Sequence, residues 1–382
     1  DVKELKLKKN ALEKSIENKA TEKQNLIERI KQESKRNLQK MKHQLESNER
    51  ESFDKVSGQK SEVMKKQAID ALVPELDKQV KDNKLAVIQH KEKAEASLQK
   101  LKLSIQVKFE DIGIEPFLLS VVEKEIMKPN GLILVTGPTG SGKTTTLYAF
   151  LQKIYSTEIN IITIEDPIEY HLEGITQTQA EKDYTFPEGL RSAVRQDPDV
   201  IMVGEIRDAE TAEIAVQSSL TGHLVLSTLH TNNAAGTIPR LIDLKVNPKI
   251  LVSALTLSMA QRLVRKLCQY CKAEKVLTET ETKTIKIVLD SIKDEGKNLS
   301  NYNINPDSPI KIFGPVGCDK CNETGYHGRI GIFEAIKTDA EIEKIITENP
   351  SEREIKKVAR AQGILSMRQD GVVKILNGVT SI

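Results

Sequence analysis

The chain of 382 residues contains no Trp, and its aromatic residues together make up only 4%. So few stacking surfaces argue against a protein that holds single-stranded nucleic acid on aromatic platforms. No run approaches the ~18–20 consecutive apolar residues needed to cross a bilayer, and the opening DVKELKLKKN holds no apolar segment of a secretory signal. Direct membrane insertion is therefore not expected, and a cytoplasmic protein that meets a membrane only through partners is. The first residue is Asp1 instead of Met, which predicts a fragment or a fusion. Neither sign of charge prevails, since 57 Lys and Arg face 55 Asp and Glu for a net +2.

That balance is uneven along the chain. Residues 1–107 carry 25 basic and 18 acidic side chains, a net +7, and the remainder is −5. The first stretch is rich in Lys, Glu, Gln, Asn and Ser, with Gly58 and Pro74 as its only breakers. Apolar residues recur at interrupted, near-heptad spacings such as Leu5, Leu12, Ile16 and Leu38, Met41, Leu45. Residues 1–107 are thus expected to form a long helical or coiled-coil arm, ended or kinked near Pro74, with partial disorder as the alternative. A basic arm can touch nucleic acid or anionic lipid. Here the basic residues are interleaved with acidic ones, as on a solvated helix face.

Residues 108–265 change character. Aliphatic runs at Leu132–Val135, Ile159–Ile164, Val200–Val203 and Leu224–Ser227 alternate with helical segments, which predicts an α/β domain around a largely parallel sheet. The first run stops at Gly137, and Gly137-Pro138-Thr139-Gly140-Ser141-Gly142-Lys143-Thr144 fits G-x-x-x-x-G-K-[ST] at every fixed position. Strand, glycine-rich turn and helix start stand in the order a P-loop needs. Backbone N–H groups converge on phosphate oxygens where a Cβ would obstruct, and the helix adds the positive end of its dipole. Residues Gly137 through Thr145 are the candidate cradle for a nucleoside triphosphate, with Lys143 reaching the β- and γ-phosphates and the Thr144 hydroxyl offered to Mg²⁺.

Two aliphatic runs end in acids. Ile161–Ile164 leads into Glu165, Asp166 and Glu169, and Val200–Val203 leads into Gly204-Glu205. In a parallel sheet such ends face the P-loop, where one acid can hold Mg²⁺ and another can orient or deprotonate the attacking water. Helix capping or surface charge is the plainer alternative for any single acid. His230 lies just past a third run and is a candidate γ-phosphate sensor, although a lone His is more often structural. His223 and His230 have no third partner at zinc-binding spacing. Arg191, Arg195 and Arg207 flank the second acidic run, either as phosphate-neutralising forks or as ordinary salt bridges.

All four cysteines fall in residues 266–335, as Cys268-x-x-Cys271 and Cys318-x-x-Cys321. Two such knuckles suit a tetrahedral Cys₄ zinc site. Disulfides are the rival, which a cytosolic setting disfavours. Residues 336–382 follow a helical pattern broken by Gly363, Gly371 and Gly378.

Four motifs stand in a telling order. They are Gly137–Thr144, Thr163-Ile164-Glu165-Asp166-Pro167-Ile168-Glu169, Val203-Gly204-Glu205-Ile206-Arg207-Asp208, and Gly222-His223 through Leu229-His230-Thr231. They resemble the Walker A, Asp box, Walker B and His box of the secretion ATPase superfamily, which drives type II secretion and type IV pilus assembly. The resemblance runs from about Lys108 to the C-terminus, and the tetracysteine insert is similar to that of the assembly and secretion members. It implies a RecA-like P-loop domain that hydrolyses ATP, with Lys143 on phosphates, Thr144 and Glu205 serving Mg²⁺, Glu169 as catalytic glutamate and His230 at the γ-phosphate. It also implies a homo-hexameric ring that moves an inner-membrane platform protein and meets that membrane peripherally, through partners; the low aromatic content and acidic motor portion predict no nucleic-acid partner. The small α/β domain usual upstream of the motor has no counterpart in the pattern of residues 1–107, and the chain stops where relatives usually continue. A truncated or fused motor is therefore expected.

The expected protein is an ATPase powering pilus or pseudopilus assembly. Its expected parts are a helical arm over 1–107, a RecA-like domain over 108–265, a small Cys₄ zinc subdomain over 266–335 and a C-terminal helical segment over 336–382. Two alternatives stand beside it, a nucleic-acid-linked P-loop motor and a non-hydrolysing nucleotide-binding scaffold. Low aromatic content and the acidic motor portion weigh against the first of these.

Overall fold

The computed structural model describes residues 107–302, 304 and 310–382. The chain divides into two units, residues 1–105 and 106–382. Apart from Val107, the helical or coiled-coil arm expected over 1–107 lies outside the described residues.

Helix α1 (Pro116–Ile126) begins on a proline, whose missing N–H costs nothing in the first turn, and it buries Leu118, Val122 and Ile126. Strand β1 (Gly131–Thr136) follows, then α2 (Lys143–Ile154), β2 (Ile161–Glu165), β3 (Thr176–Gln179) and α3 (Phe186–Val194). The chain continues through β4 (Val200–Val203), α4 (Ala209–Leu220), β5 (Leu224–Leu229), α5 (Thr237–Asp243), α6 (Pro248–Ala254) and β6 (Leu255–Leu267). After a cysteine-bearing excursion, β9 (Tyr326–Lys337) returns, and α8 (Ala340–Glu348), α9 (Glu352–Ala359) and α10 (Met367–Leu376) complete the chain.

These strands form one seven-stranded sheet in the order β3-β2-β4-β5-β1-β6-β9. All pairs are parallel except β6 with β9. Unbroken aliphatic runs are what strands covered on both faces require. Side chains alternate accordingly along β1. Leu132 and Leu134 join Leu190, Ala212 and Val216 in one core, while Ile133 and Val135 join Val122, Leu147 and Phe150 in the other.

The four aliphatic strands read from the sequence are all present. Strand β3 escapes that reading because Thr-Gln-Thr-Gln is polar and lies at the sheet edge. The boundaries expected at 265/266 and 335/336 each fall inside a strand of the main sheet. Strand β6 runs through Arg265 and Lys266, and Ala335 and Ile336 of β9 pair with Met259 and Ser258. The cysteine region is therefore an excursion between two adjacent strands of one ladder. It holds β7 (Ala273–Lys275), α7 (Glu279–Asp294) and β8 (Ile312–Gly314), with β7 antiparallel to β8. Thr278 and Glu281 form a capping box at the start of α7, whose buried Ile285, Val288 and Ile292 pack with Val372 and Val373 of α10.

Candidate nucleotide site and cysteine cluster

The turn after β1 is built by three glycines, Gly137, Gly140 and Gly142, at φ of 147°, 78° and 92°. Such angles belong to the region that L side chains avoid. Space is short as well: a Cβ on Gly137 would strike the Gln261 carbonyl, and one on Gly142 would lie 2.8 Å from Gln261 Nε2. Strand β6 is thus the backing of the loop. Its buried Gln261 accepts a hydrogen bond at 2.8 Å from Thr146 Oγ1 in α2. Lys143 Nζ donates to the carbonyls of Gly137 at 3.0 Å and Pro138 at 3.3 Å, so the ammonium lies across the turn. Burial lowers its pKa, and the Glu205 carboxylate acts against that drop. Ser141 Oγ is buried and has no hydrogen-bond partner among the described residues, as suits a donor reserved for a ligand. Thr144 is half-buried at the helix start, and Thr145 is exposed. An anion with several oxygens fits a turn of inward N–H groups, an unmatched hydroxyl and an ammonium.

The ends of β4 and β5 are zipped to this turn. Thr136 Oγ1 donates to the Leu229 carbonyl and accepts from the Thr231 N–H, each at 2.8 Å. Thr228 Oγ1 donates to the Gly204 carbonyl at 2.8 Å, and the Ile206 N–H to the Thr228 carbonyl at 2.9 Å. These contacts bring Glu205 and His230 together, with His230 Nε2 3.1 Å from Glu205 Oε2. Arg207 holds the other carboxylate oxygen. Burial alone would raise the Glu205 pKa, yet the Arg207 and His230 hydrogen bonds outweigh it and keep the carboxyl below its usual range. Asp208, also in this motif, instead caps α4 by accepting from the Thr211 N–H at 2.8 Å. Arg191 is paired with Glu210 at 2.6 Å, and Arg195 is exposed. His223 sits at the far end of β5, its Nδ1 2.9 Å from the Ser218 carbonyl.

The acids after β2 do not share one setting: Glu165 alone lies in the strand, and Asp166 and Glu169 follow it. Glu165 is the last residue of the strand and is 2% exposed. It accepts from Tyr148 Oη, from Thr163 Oγ1 at 2.6 Å and from Gln177 Nε2 at 2.9 Å. Beyond it the chain leaves the sheet, and Asp166 and Glu169 are exposed. Glu169 lies on the same edge of the sheet as the P-loop, but in the loop after β2, three strands from β1. Thr136, Tyr148, Gln177 and Gln261 escaped the sequence reading, since no local pattern marks a residue whose partner comes from another strand.

The four cysteines carry no disulfide. Their Sγ atoms all lie within 4.8 Å of one another, with Cys268–Cys318 at 3.9 Å, Cys271–Cys321 at 3.7 Å and Cys318–Cys321 at 3.8 Å. These separations are too long for S–S bonds and suit four ligands around one metal ion. The Cys321 sulfur also accepts N–H groups of Cys318 and Gly325, each at 3.2 Å. Burial raises its pKa, but those two donors bring it down to about 6.

A doubly covered, largely parallel sheet with a glycine-rich turn after an interior strand, and an acid just past a nearby one, defines a RecA-like P-loop nucleotide-binding protein. The comparisons narrow the class. The chain belongs to the family described as Type II/IV secretion system protein, whose profile matches residues 66–382. It is 47% identical over 283 residues to a Type II secretion system protein E of Aeromonas hydrophila, covering 74% of this chain and 53% of that protein. It is 45% identical over 277 residues to the Type IV pilus assembly ATPase TfpB of Acinetobacter baylyi, covering 72% and 45%. Among solved structures, the pilus retraction motor PilT with bound ADP aligns at a TM-score of 0.51 and 29% identity over 72% of this chain and 64% of that one. The chain spans about half the length of the curated relatives it matches.

Proposed function

We propose that this chain is the ATP-hydrolysing motor portion of a type II secretion or type IV pilus assembly machine. The observation that carries the proposal is the placement of Glu205, gripped by Arg207 and His230 and electrostatically linked to Lys143 of the phosphate turn. In this reading Lys143 and the N–H groups of Gly137 through Thr145 bind the triphosphate. Thr144 and Glu205 hold Mg²⁺, which when bound neutralises charge building on the γ-phosphoryl oxygens. Glu169 orients the attacking water and His230 contacts the γ-phosphate. The working form is a homo-hexamer that moves an inner-membrane platform protein. Among the described residues no helix is long and apolar enough to cross a membrane, which is compatible with a cytoplasmic motor attached through partners.

Phosphate release by the purified chain, with its size measured in ATP, tests this reading. Lys143→Ala is expected to reduce turnover to background by removing the phosphate contact. Wild-type turnover in that variant would overturn the proposal.

The metal in the cysteine cluster is zinc in this reading. Thiolates about 2.3 Å from one tetrahedral ion stand about 3.8 Å apart, which matches the Cys318–Cys321 separation of 3.8 Å. Elemental analysis is expected to find one zinc per chain, lost in Cys318→Ser combined with Cys321→Ser. A zinc-free, folded wild-type chain would refute the assignment.

A further inference from the structure

Glu169 is the residue proposed above to orient water, and it sits exposed in the loop after β2. The structure supplies a support. Tyr148, on the inner face of the P-loop helix α2, is fully buried, and its hydroxyl donates to Glu165. Gln177 Nε2 donates to the same hydroxyl at 3.4 Å. Gln177, on edge strand β3, closes the arrangement from the other side. Its Nε2 donates to Glu165 Oε1 at 2.9 Å and to the Tyr170 carbonyl at 3.3 Å, and its Oε1 accepts from the Leu172 N–H at 2.7 Å. The Tyr148 and Tyr170 rings meet edge to face with centroids 4.7 Å apart.

From this geometry we propose that Tyr148 and Gln177 are positioning residues that clamp the segment from Tyr170 to Leu172 onto the P-loop helix, fixing the backbone next to the water-orienting carboxylate of Glu169. Neither residue touches the nucleotide in this scheme. The clamp is made of neutral donors around one buried carboxylate. Burial and the neighbouring Glu165 push the Tyr148 pKa well above the usual tyrosine range, so the hydroxyl keeps its proton and keeps donating. The clamp also has a directional consequence. The helix that begins at Lys143 and the loop that holds Glu169 are tied as one body, so a shift of the phosphate turn carries the water-orienting group with it.

The inference rests on the motor reading, and its test separates the two. Tyr148→Phe keeps the ring that stacks on Tyr170 and removes only the hydroxyl. In the full chain, Tyr148→Phe is expected to lower kcat by about tenfold to a hundredfold, the scale of a reacting group misplaced by about an ångström. Binding of a fluorescent ATP analogue should stay within about twofold of wild type, since binding shared by ground and transition states is untouched. Gln177→Leu, which releases the loop from the opposite side, should show the same split and serves where Tyr148→Phe does not fold. A clamp that merely stabilised the fold would lower the melting temperature and leave the kcat of the folded fraction unchanged. That result, or a parallel loss of analogue binding and kcat, overturns the inference alone. A wild-type chain that releases no phosphate overturns the motor reading and the inference with it.

Discussion

Two neighbouring strands of the sheet end in glutamates, and the two glutamates live in opposite surroundings. At the end of β2, Glu165 is buried and meets only neutral donors from Tyr148, Thr163 and Gln177. Just past β4, Glu205 is partly open to solvent and meets Arg207 and His230. The first carboxylate is satisfied by fixed hydroxyl and amide groups inside the fold, which is how a structural polar centre is built. The second has exchangeable partners at a water-accessible edge, as a group that must hold a metal ion or rearrange during a reaction requires. The same sequence shape, an aliphatic run followed by an acid, is thus enclosed by neutral donors in one place and faces charged partners at an open edge in the next.

The comparison breaks most sharply if the two acids are neutralised separately. Glu205→Gln is expected to cut phosphate release by about a hundredfold or more, the scale found when one preorganised transition-state group is removed, with ATP still bound. Its melting temperature should stay close to wild type, because the site is partly hydrated. A variant that loses stability instead of turnover would place Glu205 with the scaffold.

Glu165→Ala should show the reverse emphasis. It strands the hydroxyls of Tyr148 and Thr163 in a buried site, and one unmatched buried polar group costs about 1–3 kcal/mol. A destabilisation of about 3 kcal/mol or more is therefore expected in urea unfolding. A loss below about 1 kcal/mol would mean that water reaches the site and that the buried network is not what holds the β2 end.

The contrast also explains what the sequence could disclose. The phosphate turn was legible because all its working residues are contiguous, and the cysteine knuckles because each needs only a spacing of three. Four aliphatic runs predicted four strands of the parallel sheet, since doubly covered strands carry their burial in their composition. What stayed hidden was non-local. Gln261 backs the phosphate turn from a strand 115 residues beyond Thr146, its partner in α2. Tyr148 looks like one more apolar position of a helix, and only the fold brings its hydroxyl to Glu165. The expected subdomain boundaries fall inside strands for a related reason. Composition changes near the cysteines, but the β6–β9 ladder runs on through that change. Glu165, Asp166 and Glu169 do not share one setting because adjacency in sequence is not shared orientation. One acid closes a strand facing inward, and the others follow it.

The finest distinction between the two glutamates is their titration. Glu205 is held below the usual carboxylate range only because the hydrogen bonds from Arg207 and His230 outweigh burial, which acts the other way. A depressed pKa means that the charged form survives to lower pH and is lost as pH falls through that lowered value. Arg207→Ala removes the stronger of the two supporting partners and leaves the burial in place. The Glu205 pKa must then rise, and the acid limb of the kcat/KM profile should move to higher pH, because that limb reports the free enzyme's essential base. The plateau above the limb is a separate quantity and reports any further role of the guanidinium. A limb that stays where the wild type has it would mean that the Arg207 contact is not what keeps Glu205 ionised, and the contrast with Glu165 would then rest on hydration alone.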